Sequence, residues 1–147
     1  MANRSILRIT AERSQLGRVR AWVTEKALAG QAAPPEIDDL VQAADELVAN
    51  TITHGYAGRS GLLELEMIAE PGMLILILRD QAPPFDPTHV PAPDISLSLE
   101  ERPLGGMGLH LVRQCVDQFL YESLATGGNQ ITLIKNLRGR ENQGKYN

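Results

Sequence analysis

Glu46, Asn50 and His54 follow one another at intervals of four residues, so on a helix their side chains stand along one side. A carboxylate one turn from a carboxamide is a usable pair: the first accepts a proton, and the second offers a neutral oxygen to a hard cation such as magnesium. The same residue types also decorate the solvated face of ordinary helices. A further carboxylate, Asp80, ends an apolar run and opens DQAPPFD. At a loop mouth it can accept a hydrogen bond from an exocyclic amine such as that of adenine, with Pro83, Pro84 and Phe85 as a stiff apolar wall; a solvated turn aspartate is the plain alternative. Gly105, Gly106 and Gly108 open a helical pattern, where unpaired amides and bare backbone together make an anion site. No Gly-Lys-Ser/Thr follows, and the third glycine and preceding strand of a dinucleotide fingerprint are missing. Gly127, Gly128 and Asn129 suit a hairpin turn, with a ligand contact from Asn129 as the second reading.

These residues need elements to hold them. Ile37, Leu40, Val41, Ala44, Leu47, Val48 and Ile52 recur at helical spacing, which predicts one helix from about Pro35 to His54 with a buried stripe opposite the Glu46 face. Before it, Ser5 to Thr10 reads as a short edge strand, and Leu16, Val19, Val23 and Ala27 as the stripe of a helix over Glu12 to Ala29 that Gly30 stops, with Trp22 as a packing anchor. The glycines 55, 58 and 61 disfavour further helix. His54 and Tyr56 are expected to cap the helix end and pack that loop. Leu62 to Glu70 and Met73 to Leu78 flank Pro71-Gly72 as a hairpin, the second strand apolar enough to predict cover on both faces. Six prolines between Gln81 and Pro103 exclude regular structure there and predict a lid. Leu104 to Val116 reads as a helix, Phe119 to Ser123 and Gln130 to Asn136 as two closing strands, and the stretch from Gly139 as a polar tail.

At 147 residues, 43% hydrophobic and 22% charged, the chain has the make-up of one globular domain with its own core. A formal charge of −4 argues against general nucleic-acid binding, which calls for a basic field. The single Cys115 cannot form an internal disulfide and reads as a small buried hydrophobe. No stretch has the length and apolarity of a membrane span or a leader peptide, so the expected compartment is the cytoplasm, without membrane contact.

Taken in order, the acid-amide helix, the aspartate after a strand, the prolyl loop, the glycine-rich helix start and the closing Gly-Asn strand resemble the GHKL (Bergerat-fold) ATPases. Within them the chain resembles the anti-sigma factor serine/threonine protein kinases of bacterial partner-switching systems. ELVANTITHGY is similar to that family's N-box, DQAPPFDP to its adenine-binding box, GGMGLHLV to its second glycine box and GGNQITLIKNL to its closing strand. The likeness runs from about Ile6 to Leu137.

The resemblance implies an α+β fold: a two-layer α/β sandwich whose mixed, mainly antiparallel sheet carries three main helices on one face. It implies one domain over 1–138, with a lid at about 81–104 and a tail at 139–147. It implies ATP and Mg2+, Glu46 as general base on an incoming serine hydroxyl, Asn50 as magnesium ligand, and Asp80 as reader of adenine. The same likeness puts Ala82, Gly105, Gly106, Met107, Gly108, Leu109 and Asn129 around the nucleotide, and Arg102 beside the phosphates. The implied partners are a sigma factor or other client, a STAS-type anti-anti-sigma antagonist as phosphoacceptor, a phosphatase of the same pathway and a second copy in a homodimer. Two positions depart from the family: Ala82 puts a methyl where a bare backbone is expected, and Asn129 stands where threonine is common. The first motivates an alternative in which the domain sequesters partners without catalysis, with nucleotide as a structural ligand or absent. Asp45, beside Glu46, points off the active face and has no role.

Overall fold

The computed structural model describes residues 3–89, 96 and 106–138. Strand β1 (Asn3–Thr10) leads through a 3-10 turn into helix α1 (Leu16–Ala29) and helix α2 (Pro34–Asn50). The hairpin β2 (Leu62–Glu70) and β3 (Met73–Asp80) follows, then helix α3 (Gly106–Cys115) and the hairpin β4 (Gln118–Ser123) and β5 (Asn129–Asn136). The sheet order is β1-β2-β3-β5-β4, so β1 is an edge strand as expected, although at eight residues it is longer than the Ser5 to Thr10 read from the sequence. Among the described residues every pairing is antiparallel, so the sheet expected to be mixed and mainly antiparallel shows no parallel pair there.

The three helices lie on one face of this sheet, α2 packing against both α1 and α3. Leu16, Val19, Val23 and Ala27 of α1 and Ile37, Leu40, Ala44, Leu47 and Val48 of α2 are buried, as their spacing predicts, and Trp22 packs on the edge of that core. Alternate residues of the strands meet them: Leu7, Ile9, Leu63, Leu65, Met67, Leu74, Leu76, Leu78, Ile131 and Leu133. The start of α2 follows from Pro34 and Pro35, whose missing N–H groups cost nothing in a first turn, and from Glu36 Oε1, which accepts from Ala33 N–H at 2.8 Å. Gly30 ends α1 for a different reason from the one its type suggests. Its φ is −82°, and it is Gln31 that takes the left-handed conformation, at φ 69°. A Cβ on Gly30 would come within 2.6 Å of Leu74 Cδ2, so the glycine permits the close approach of α1 to β3.

Within the single chain, the expectation that β3 is covered on both faces does not hold. Leu74, Leu76, Leu78 and Asp80 are buried, whereas Ile75, Ile77 and Arg79 on the other face are half-buried. The registers set Ile68, Ile75 and Ile134 in one row across this outer face and Ile6, Glu66, Ile77, Thr132 and Leu120 in the next. A charged row follows, in which Arg79 donates to Gln130 (2.8 Å), Glu64 (2.9 Å) and Glu66 (3.1 Å). Arg4 and Arg8 on β1 donate to Glu66 and Glu64 in turn. Continuous apolarity in β3 thus comes from β-branched and γ-branched residues filling an outer face, not from a second helical layer.

Candidate functional site

Helix α2 gives way after Asn50 to one turn of π-helix, Thr51–Gly55, closed by Tyr56 N–H donating to Thr51 O at 2.8 Å. Tyr56 explains where the wider turn stops. Its ring is buried, its hydroxyl donates to Leu62 O at 2.6 Å and accepts from Gln81 N–H at 2.8 Å, and a Cβ on Gly61 would run into the ring. The end of α2 is therefore pinned to the start of β2 and the end of β3. Glu46 and Asn50 keep their one-turn spacing inside α2, and His54, now on the π-turn, lines the same cavity as Asn50. His54 is exposed on a cavity wall, so the packing expected of it falls to Tyr56 alone.

That cavity has a volume of about 410 Å³. Asn50, Thr51, His54 and Gly55 line one side, Asp80, Ala82, Pro83, Pro84 and Phe85 another, with Leu47, Leu109 and Ile131 as apolar surface between polar groups. Asn50, Asp80, Ala82, Leu109 and Asn129, drawn from four separate stretches of sequence, thus meet in one place. Glu46 stands beside it: a Cβ on Gly108 would run into Glu46 Oε2, so the bare Gly108 backbone lets the first turn of α3 and the carboxylate approach each other. Gly106 and Met107 begin α3; Gly105, Arg102 and the lid beyond His89, apart from Ser96, lie outside the described residues.

Asp80 is buried, and its carboxyl is raised above the usual range by that burial, against the lowering effect of hydrogen bonds from Asn129 and from Ala82 N–H. Both bonds fall on Oδ1, at 2.8 and 2.9 Å. Ala82 is 2% exposed, and a Cβ on Gly55 would lie 3.2 Å from its methyl, so the methyl is turned onto the π-turn. Asn129 is buried as well, its side chain spent on Asp80, the Ala82 and Pro83 carbonyls, Phe85 N–H and the Tyr121 hydroxyl. Burial, and then the charge of Asp86, push the Tyr121 phenol up, so it remains a donor. Gly128 allows β5 to reach this point, since a Cβ there would strike Asp80 O.

Among the described residues no three His, Cys, Asp or Glu side chains gather as a metal site. Asn50 is the residue of the cavity wall that carries a neutral amide oxygen of the kind a hard cation takes. Thr51, Arg59 and Tyr121 escape a motif-based reading. Arg59 also lines the cavity, its Nε donating to Tyr56 O at 3.0 Å, and only the fold after the π-turn brings it there. Asp45 is engaged by Arg20 at 2.6 Å, away from the site, and Cys115 is a buried thiol beside Gln42. Among the described residues no helix is long and apolar enough to cross a membrane.

The cavity is thus edged by α2 and bounded by an antiparallel sheet and the first turn of α3. The chain belongs to the histidine kinase-like ATPase domain family, whose profile matches residues 9–135. It is similar to the anti-sigma F factor of Clostridium kluyveri, 27% identical over 117 residues that cover 78% of this chain and 82% of the relative. The anti-sigma F factor of Geobacillus kaustophilus is 28% identical over 123 residues (80% and 82%). The serine/threonine-protein kinase BtrW of Bordetella bronchiseptica is 28% identical over 95 residues (64% and 66%). Among solved structures, the RsbU and RsbW domains of a Mycobacterium tuberculosis protein match with a TM-score of 0.59 at 22% identity, covering 90% of this chain and 32% of that one, which is a likeness of fold.

Proposed function

We propose that this chain is an ATP-dependent protein serine/threonine kinase of the partner-switching type, which binds a sigma factor or similar client and phosphorylates a STAS-type anti-anti-sigma antagonist that a phosphatase restores. The observation that carries this reading is the meeting of Asn50 and Asp80 in one 410 Å³ cavity with Glu46 against the first turn of α3. Asp80 accepts the exocyclic amine of the base through its carboxylate. The amino end of α3, with bare backbone at Gly108, faces negative charge at the phosphate end. Glu46 takes the proton of the antagonist serine as its oxygen bonds to the terminal phosphorus and the bridging oxygen leaves with ADP. Magnesium, held by Asn50 and the phosphates, supplies charge neutralisation when bound. Ala82, the ground for the non-catalytic alternative, turns its methyl onto Gly55, which favours the catalytic reading. The names of the relatives support the choice of partners.

A second copy is the proposed occupant of the outer sheet face, where Ile6 and Leu120 are 48% and 49% exposed. Arg4 and Arg8 lie on the β1 edge of that face and Glu122 on the β4 edge. A two-fold axis along the strands sets β1 of one copy over β4 of the other, and each basic edge over an acidic one.

The direct test is transfer of labelled phosphate from ATP to the cognate antagonist. Transfer by the wild type and its loss of at least ~100-fold in Glu46→Ala are expected; no transfer by the wild type, or full transfer by Glu46→Ala, sinks the kinase reading.

A further inference from the structure

The sequence suggests a ligand contact for Asn129, yet every hydrogen-bonding site on its amide is taken by protein. Oδ1 accepts from Phe85 N–H at 2.9 Å and from the Tyr121 hydroxyl at 2.7 Å. Nδ2 donates to Asp80 Oδ1 at 2.8 Å, with the Ala82 and Pro83 carbonyls at 3.2 and 3.3 Å. An amide has two acceptor sites and two N–H groups, so nothing is left for a nucleobase. The reverse orientation would aim the amide oxygen at a carboxylate and two carbonyls, which fixes the assignment.

We infer that Asn129 and Tyr121 are positioning residues, which lock the Asp80 carboxylate and the Ala82–Phe85 turn in place and thereby make the site select a 6-amino over a 6-oxo purine. This rests on the ATP reading above. Asp80 Oδ1 is held from two sides, by Asn129 and by Ala82 N–H, which leaves Oδ2 to meet the ligand. A 6-amino purine offers its donor on the exocyclic nitrogen, whereas a 6-oxo purine offers one on the neighbouring ring nitrogen. A carboxylate free to swing can follow that displacement, and a clamped one cannot. Tyr121 completes the clamp from β4: with its hydroxyl in place, the Asn129 oxygen cannot turn toward the cavity.

Binding of ATP and of ITP, each with magnesium, is measured by calorimetry for the wild type, Tyr121→Phe and Asn129→Asp. Wild type prefers ATP. Tyr121→Phe lowers the ATP to ITP affinity ratio by roughly three- to tenfold. Asn129→Asp sets a second carboxylate against Asp80, so the two share a proton, and ATP affinity gains a dependence on pH beyond that of the wild type. A variant that had merely lost stability would show neither the altered ratio nor the new pH dependence. Wild type that binds neither nucleotide overturns the proposed function and the positioning role with it. Wild type that binds ATP, with the ratio unchanged in both variants and no new pH dependence, overturns the positioning role alone.

Discussion

At Asp80 the proposed recognition of the base and the demands of folding conflict. Burial raises its carboxyl, so the folded state holds a proton more tightly than the unfolded chain does. Its contribution to stability is present below the unfolded value and is lost as pH rises through the raised folded one. Once ionised, the buried group is therefore a net cost to the nucleotide-free protein. Asp80→Asn, which keeps an oxygen for Asn129 and Ala82 N–H, should melt higher than wild type at pH 7, with the gap closing on acidification, while ATP binding is lost. Equal melting temperatures at all pH values would remove this account. Ala82 and Gly55 make a second residue-scale pair: a methyl is accommodated at one because it is absent from the other. Gly55→Ala should cost roughly 1–3 kcal/mol by overpacking, and Ala82→Gly in the same chain should recover most of it. Strictly additive effects in a denaturation cycle would show that the two positions are independent.

Among the elements, the π-turn decides which way the end of α2 faces, and Tyr56 holds it. The Tyr56 hydroxyl joins Leu62 O to Gln81 N–H, so it ties the entry to β2 to the residue after Asp80. Tyr56→Phe should leave both backbone groups without that partner and cost roughly 1–3 kcal/mol. Amide exchange at Gln81 should quicken while the interior of β3 stays protected; unchanged exchange at Gln81 would mean that the hydroxyl does not hold this corner. The regular helix expected to run on to His54 changes at the same element, where Thr51–Gly55 form the π-turn. Helical periodicity presumes 3.6 residues per turn, and nothing in TITHGY announces a wider turn.

For the whole molecule, the outer sheet face sets the proposed assembly. Arg8→Glu and Glu122→Arg should each weaken the dimer by roughly tenfold, and the double variant should regain most of the loss. Sedimentation equilibrium at low and high salt measures this. A monomeric wild type, or no recovery in the double variant, rules out the β1-over-β4 arrangement. What covers this face was not legible in the sequence, because an all-apolar strand looks the same whether helices or another sheet bury it.

Sequence by itself determined the two helical stripes, the two hairpins, the edge position of β1, and Glu46, Asn50, Asp80 and Gly108 as the residues with chemistry to offer. Those follow from local rules of period, turn chemistry and side-chain type, which act over a few residues. Only the tertiary structure decided that Gly30 serves Leu74 rather than a left-handed turn, that Ala82 turns its methyl to Gly55, and that Asn129 spends its amide on Asp80, Phe85 and Tyr121. Each of these depends on a partner distant in the chain, and no local spacing records where such a partner will lie. The acid-amide pair of α2 was legible from the start; its place opposite Asp80 had to wait for the sheet.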